Sequence, residues 1–200
     1  MTYFIDSCPE MLFAFLLLML VPAPLEETGH APAFADSLLL FEFEIGEARW
    51  EVVNDGVMGG RSRGQGEVGK GALRFTGTLV TQGGGFSSVR TDRRVDLSGY
   101  DGLELRVRGN GRPFEVEVSD GTRFRGLPVS RRGAFETSDE WAVVRVPFDV
   151  LGTSVFGRQV RVDRVDLSAV ESFGFYILDG QDGPFELEVD WVRAYQNTEG

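Results

Sequence analysis

The chain has 200 residues, 20 basic against 31 acidic side chains, a formal charge of −11, one cysteine and one histidine. That length suits one domain. The negative charge, with no basic run longer than Arg93-Arg94 or Arg131-Arg132, argues against nucleic acid as a partner.

Residues 1–35 read as a leader. An unbroken apolar run of eleven residues, 11–21, is too short to span a bilayer, which takes ~20. Pro22, Pro24 and a polar stretch follow, ending in Ala33-Phe34-Ala35 before Asp36. A short apolar core followed by small-x-small is the pattern of a secretory signal peptide. The stretch holds four acids and no basic residue, unlike the Arg-rich, acid-poor transit peptides of mitochondria. The reading is an exported protein, periplasmic or secreted, with residues 36–200 as the folded domain and no transmembrane span in it. An uncleaved leader acting as a membrane anchor is the alternative.

Cleavage after Ala35 removes four acids, taking the charge to −7, and also removes Cys8 and His30. The remaining domain then has no disulfide, thiolate nucleophile, histidine base, Ser-His-Asp triad or imidazole ligand for zinc. Its length is sufficient to bury a core without disulfides.

From residue 38 onward the pattern is that of short strands. Candidates fall at residues 38–43, 48–53, 71–77 and 86–90. Between them lie two glycine-rich segments, Asn54-Asp55-Gly56-Val57-Met58-Gly59-Gly60-Arg61-Ser62 and Gly83-Gly84-Gly85-Phe86-Ser87-Ser88-Val89-Arg90. Leu103, Leu105 and Val107 alternate strictly with polar residues, as do Phe114, Val116 and Val118 beyond the turn 109–113; a hairpin is expected. Residues 141–146 and 162–167 are further candidates. A short helix is placed around 148–151, with Pro147 in its first turn, and a surface loop at 154–162. Residues 173–177 and 185–191 alternate again across a turn-rich stretch. About ten strands at this spacing predict an all-β antiparallel sandwich or jelly roll in a single domain.

The glycine-rich segments carry the candidate site: Asn54, Asp55, Met58, Arg61, Ser62, Phe86, Ser88 and Arg90. Asn54-Asp55-Gly56 is a strong turn signal, so turning the chain competes with ligand binding as its role. Gly83-Gly84-Gly85 is not followed by Gly-Lys-Ser/Thr and sits in a β context, which argues against a phosphate cradle. Arg90 is placed to pair with Asp55. Trp50, Trp141 and Trp191 would make a stacking platform for sugars if exposed, yet their neighbours point to burial of at least two. The acidic pairs Asp163/Asp166 and Asp179/Asp182 offer calcium-type ligands. No Asp-x-Asp-x-Asp loop frames them, so turn capping is preferred, and neither cofactor nor metal is expected.

The chain resembles the CIA30 family, named for a complex I intermediate-associated protein. The matching residues are Trp50 with the segment Asn54 to Ser62, Gly85 to Arg90, Asp96 to Arg112, Trp141, Val146-Pro147-Phe148, Gly174-Phe175, and Gly183 to Val192. The resemblance implies a galactose-binding-like sandwich and a role in assembling membrane electron-transfer complexes. It supplies no catalytic residues. The expectation is a non-enzymatic module in the cell envelope that engages a protein partner through loops 54–62 and 83–90, with a carbohydrate-binding module as the alternative.

Overall fold

A computed structural model describes residues 37–197, which are strand and loop apart from three single 3₁₀ turns. In chain order the strands are β1 (Ser37–Phe41), β2 (Glu51–Asn54), β3 (Arg63–Gly69), β4 (Ala72–Leu79), β5 (Ser87–Val95), β6 (Gly102–Gly109) and β7 (Phe114–Ser119). Then come β8 (Arg123–Phe124), β9 (Leu127–Pro128), β10 (Ser130–Phe135), β11 (Ala142–Pro147), β12 (Gly152–Val155), β13 (Arg158–Gln159), β14 (Val170–Ile177) and β15 (Gly183–Tyr195). One sheet runs β11-β6-β15-β4-β3, with β1 also pairing β15. The other runs β13-β12-β10-β7-β14-β5-β2, and β8 pairs β9 in a separate ribbon. All pairings are antiparallel. This is the expected antiparallel sandwich.

The two-residue period explains the architecture. Leu103, Leu105 and Val107 on β6, with Phe185, Leu187 and Val189 on β15, turn one face inward. Phe114, Val116 and Val118 on β7, with Phe173, Phe175 and Ile177 on β14, meet them from the other sheet; all are buried. Two aromatic clusters fill the space between. Phe75, Phe114 and Phe185 lie with ring centroids 4.9–6.4 Å apart. Phe41, Phe43, Trp50, Phe173 and Phe175 form the second cluster. Each phenylalanine so buried is worth about 1.5–3 kcal/mol of transfer free energy.

The expected hairpin of residues 103–108 with 114–118 does not form. β6 and β7 lie in different sheets, so residues 109–113 arch over the core. β14 and β15 are likewise divided between the sheets. Alternation identifies which face of a strand is apolar; two such faces also satisfy each other by stacking across the core, without sharing hydrogen bonds. No strand covers 162–167, which run irregularly into the turn Leu167–Ala169. The stretch 154–162 holds β13 and the end of β12 as well as loop, and a 3₁₀ turn stands at Phe148–Val150 behind Pro147.

β3 escapes the sequence pattern because three of its seven residues are glycine, a poor strand former. The structure shows why two of them are there. A Cβ at Gly64 would fall 2.1 Å from Ser87 Oγ, and one at Gly66 2.9 Å from Val89 Cγ2. Glycine lets β3 pass close over β5 of the facing sheet.

Candidate functional site

The two glycine-rich segments meet at one end of the sandwich, around Asp55. This residue opens the turn Asp55–Met58 and is 0% exposed. Its carboxylate accepts hydrogen bonds from the Ser62 N–H (3.0 Å), the Ser62 hydroxyl (2.6 Å), the Gly85 N–H (2.7 Å) and the Phe86 N–H (3.4 Å). Burial pushes the carboxyl up, but the donors of Gly85, Ser62 and Phe86 together hold it below the ordinary aspartate value. Gly60 and Gly84 press against it: a Cβ would lie 2.1 Å from Asp55 Cγ at Gly60 and 2.4 Å from Oδ2 at Gly84. Asn54 Oδ1 accepts from the Gly64 N–H (2.9 Å) and the Ser87 hydroxyl (2.7 Å). Glycine is needed here so that backbone can close around a carboxylate.

The eight candidate residues therefore separate. Asn54, Asp55 and Ser62 are bonded inside the loop end, and Phe86 contributes its N–H to the same knot. Met58 and Arg61 stand exposed on its outside, with Arg61 Nη2 donating to Gln82 Oε1 at 2.5 Å. Ser88 and Arg90 belong to the outer face of the seven-stranded sheet. The expected Asp55–Arg90 pair is absent. Arg90 Nε donates to Ser88 Oγ at 2.9 Å, while every bond drawn to Asp55 comes from a neutral donor.

That outer face gathers residues the sequence reading did not single out. Tyr176 is 5% exposed although it points away from the core. Guanidiniums approach its ring from strands on opposite sides, Arg90 of β5 at 4.8 Å and Arg132 of β10 at 4.9 Å from the centroid. Gly174, two residues back, leaves room: a Cβ there would be 3.1 Å from Tyr176 Cε2 and 3.2 Å from Arg90 Cγ. The phenol donates to Glu117 Oε1 at 2.7 Å. Burial, then the Glu117 charge, push the phenol far above its ordinary pKa, so it stays a donor. Arg132 also pairs with Glu115 at 3.2 Å and stands 3.9 Å from Glu117 Oε2, an oxygen that is buried without a hydrogen-bond partner. Beside this network an open groove of about 160 Å³ is lined by Glu115, Arg132, Gly152, Thr153, Ser154 and Gln159.

The other outer face is a ladder of ion pairs. Arg108 meets Glu188 at 2.7 Å, Arg106 meets Asp190 at 2.5 Å, Arg145 meets Glu104 at 2.8 Å and Arg74 meets Glu186 at 2.8 Å. Trp141 and Trp191 lie on this side, half-buried rather than in the core. Arg106 and Arg108 stand over Trp141, and Arg193 over Trp191. Trp50 alone of the three packs on the core cluster. The guanidiniums provide the cover that core packing was expected to give.

At the opposite end of the seven-stranded sheet, Asp120 and Arg131 form an ion pair at 3.4 Å whose side chains are 1% and 2% exposed. Asp120 also accepts the N–H groups of Thr122 (3.1 Å) and Asp166 (2.8 Å). Arg131 Nη1 donates to the Asp163 carbonyl at 2.8 Å, while its Nε is buried without a partner. Burial raises the Asp120 carboxyl, but the bonds from Asp166 and Thr122, with the Arg131 charge, outweigh it and the pKa is lowered. Three of the four acids weighed as calcium ligands have carboxylates bonded within the protein. Asp179 is clamped by Arg112 at 2.5 Å, Asp182 accepts the Thr81 N–H, and Asp166 caps Ser168. Among the described residues no group of three or more metal-binding side chains comes together. Residues 37–197 contain no cysteine or histidine, and Asp55 and Asp120 are held as acceptors by structural donors.

The fold and these surfaces define a galactose-binding-like β-sandwich. Residues 40–189 match the family Complex I intermediate-associated protein 30 (CIA30), and the chain belongs to that family. "Complex I intermediate-associated protein 30, mitochondrial" of Mus musculus is 32% identical over 111 residues, covering 50% of this chain and 32% of the mouse protein. The Drosophila melanogaster protein of the same name is 27% identical over 185 residues, covering 77% of this chain and 61% of the fly protein. The chain thus spans about a third of the first relative and under two thirds of the second. In fold it is similar to the Family 11 carbohydrate-binding module of the cellulosomal cellulase Lic26A-Cel5E of Clostridium thermocellum. The TM-score is 0.63 at 16% identity, over 82% of this chain and 97% of that one.

The relatives are mitochondrial by name, which overturns the expectation of an exported, periplasmic or secreted protein. The leader on which that expectation rested, residues 1–35, lies outside the described residues. Within them, no helix is long and apolar enough to cross a membrane.

Proposed function

We propose that the chain is a non-catalytic assembly factor that holds a protein intermediate of respiratory complex I. The relatives' names supply the client. The contact surface is the outer face of the seven-stranded sheet, with the exposed loop residues Met58 and Arg61 beside it. The observation that carries this reading is the prearranged Arg90–Tyr176–Arg132 array with its unpartnered Glu117 oxygen. A buried acceptor without a donor costs free energy in the isolated protein, and a partner's donor entering from the groove relieves it. In this reading Asn54, Asp55 and Ser62 position the loop and do not touch the client.

The tagged full chain used as bait in detergent-solubilised mitochondria tests this. Identified complex I subunits should be recovered with the wild type and fall at least tenfold with Arg132→Glu. If none is recovered, or recovery ignores that substitution, the reading fails. A carbohydrate ligand is the second reading, favoured by the hydroxyl and amide groups of Thr153, Ser154 and Gln159 in the groove. Against it, Tyr176 has no bare ring face to stack a sugar, and Trp141 and Trp191 lie under guanidiniums. A glycan array decides: silence across sugars removes this reading.

A further inference from the structure

We propose that the basic edge of the seven-stranded sheet docks on an anionic phospholipid surface. Residues 121–135 and 150–162 carry six arginines and no aspartate or glutamate, in a chain where acids outnumber bases 31 to 20. Arg131 and Arg132 are paired with Asp120 and Glu115, which leaves Arg123, Arg125, Arg158 and Arg161 exposed. These stretches build β8, β9, β10, β12 and β13, so the charge asymmetry of the sequence becomes one edge of the molecule.

Two tight turns end there. The β8–β9 ribbon turns through Arg125 and Gly126 (φ 52° and 83°), and β12–β13 through Phe156 and Gly157 (φ 47° and 75°). Ser130 pairs with Ser154. β9, which reaches β10 through Val129, therefore leaves the same end of β10 as the β12–β13 turn. The tips present Leu127, 41% exposed, and Phe156, 73% exposed, beside the exposed Arg123, Arg125, Arg158 and Arg161. The Arg125 guanidinium lies 5.3 Å from the Phe124 ring centroid. A left-handed φ is costly for phenylalanine, and a phenyl group held in water gains nothing in return. Such a residue, kept at a tip, marks a contact made elsewhere than within the fold.

The shape favours lipid over an acidic protein. Apolar side chains on separate two-residue turns enter between headgroups without a matching pocket, whereas a protein interface buries a continuous patch. Arginine stems lie along the apolar boundary while their heads reach phosphates, and the negative surface potential attracts each of them. Among the described residues the most exposed large apolar side chain, Ile45, sits among Glu42, Glu44 and Glu47, which such a surface repels.

Vesicle co-sedimentation of the full chain tests the proposal. Binding to phosphatidylcholine vesicles containing phosphatidylglycerol should exceed binding to pure phosphatidylcholine at least tenfold and weaken as salt is raised. Phe156→Ser with Leu127→Ser should lower it at least fivefold, and Arg123→Gln, Arg125→Gln and Arg158→Gln together at least tenfold, with near-UV circular dichroism unchanged. Emission of the Phe156→Trp variant should shift to the blue, relative to wild type, on adding the anionic vesicles. Equal binding to both vesicle types, an unmoved emission, or retention on immobilised polyglutamate without vesicle binding overturns it. None of these variants touches Arg90, Arg132 or Glu117, so failure here leaves the partner reading standing.

Discussion

Asp55 and Asp120 are buried carboxylates at opposite ends of the same sheet, and the fold satisfies them in different ways. Asp55 receives neutral donors from two loops that need glycine to come close enough. Asp120 has two backbone donors and a buried arginine whose Nε is left without a partner. The first end is fully bonded, while the second leaves a buried polar atom unsatisfied. A carboxylate dressed in backbone N–H groups fixes several chain segments at once; one dressed by a guanidinium depends on a single long side chain.

The largest expected effect follows at the fully bonded end. Asp55→Ala strands the donors of Ser62, Gly85 and Phe86 in a buried site and should cost about 3–5 kcal/mol. Urea denaturation of the variant measures this as a lowered midpoint. A loss under ~1 kcal/mol would show that water replaces the carboxylate and that the knot is dispensable.

Arg131→Ala comes next, at about 3 kcal/mol, because it leaves the Asp120 charge buried with only its backbone donors. The double substitution Asp120→Asn with Arg131→Met should recover part of that loss, since the charge and its counter-charge leave together. Strict additivity of the two changes in a double-mutant cycle would mean that the pair is not coupled.

How far these ends were legible in the sequence differs by residue. Asn54-Asp55-Gly56 announced a turn, and the alternation of Leu103 to Val107 and Phe114 to Val118 announced strands with one apolar face. The knot itself was not legible, because Asp55 and Gly85 are brought together by pairing of β2 with β5. The Tyr176 array needs four strands in the order β10-β7-β14-β5, and the order of strands in a sheet is not written in any one of them. One signal was available: in Phe173-Gly174-Phe175-Tyr176-Ile177, Tyr176 falls on the face opposite the phenylalanines, next to the smallest residue. Arg131 was indistinguishable from its neighbour Arg132 as a letter, yet strand alternation turns the first inward and the second outward.

Gly84→Ala gives a smaller effect and tests whether closeness, not flexibility, is what glycine supplies at the Asp55 end. The added methyl would sit 2.4 Å from Asp55 Oδ2, so the loop must shift, at about 1–3 kcal/mol. Gly69→Ala, where nothing lies within 4 Å, should be near neutral by the same denaturation assay. Equal losses at the two positions would make backbone freedom the explanation and remove the steric one.

In acid the two ends respond in the same direction. Both carboxyls have folded pKa values below the unfolded aspartate value of 3.8. A group of this kind binds its proton more readily in the unfolded chain. Its contribution is therefore complete above that value and is lost as pH falls through the folded pKa. Thermal melting should be flat from pH 7 to about 5 on this account and then drop below about 4. Asp55→Asn should shrink the acid-dependent drop, and Asp120→Asn should do so independently, because the two sites occupy opposite ends of the sheet and share no hydrogen-bond partner. An acid limb unchanged by Asp55→Asn would mean that the Asp55 carboxyl has the same pKa in the folded and unfolded chains, and the account of the knot as four donors around a charge would fall with it.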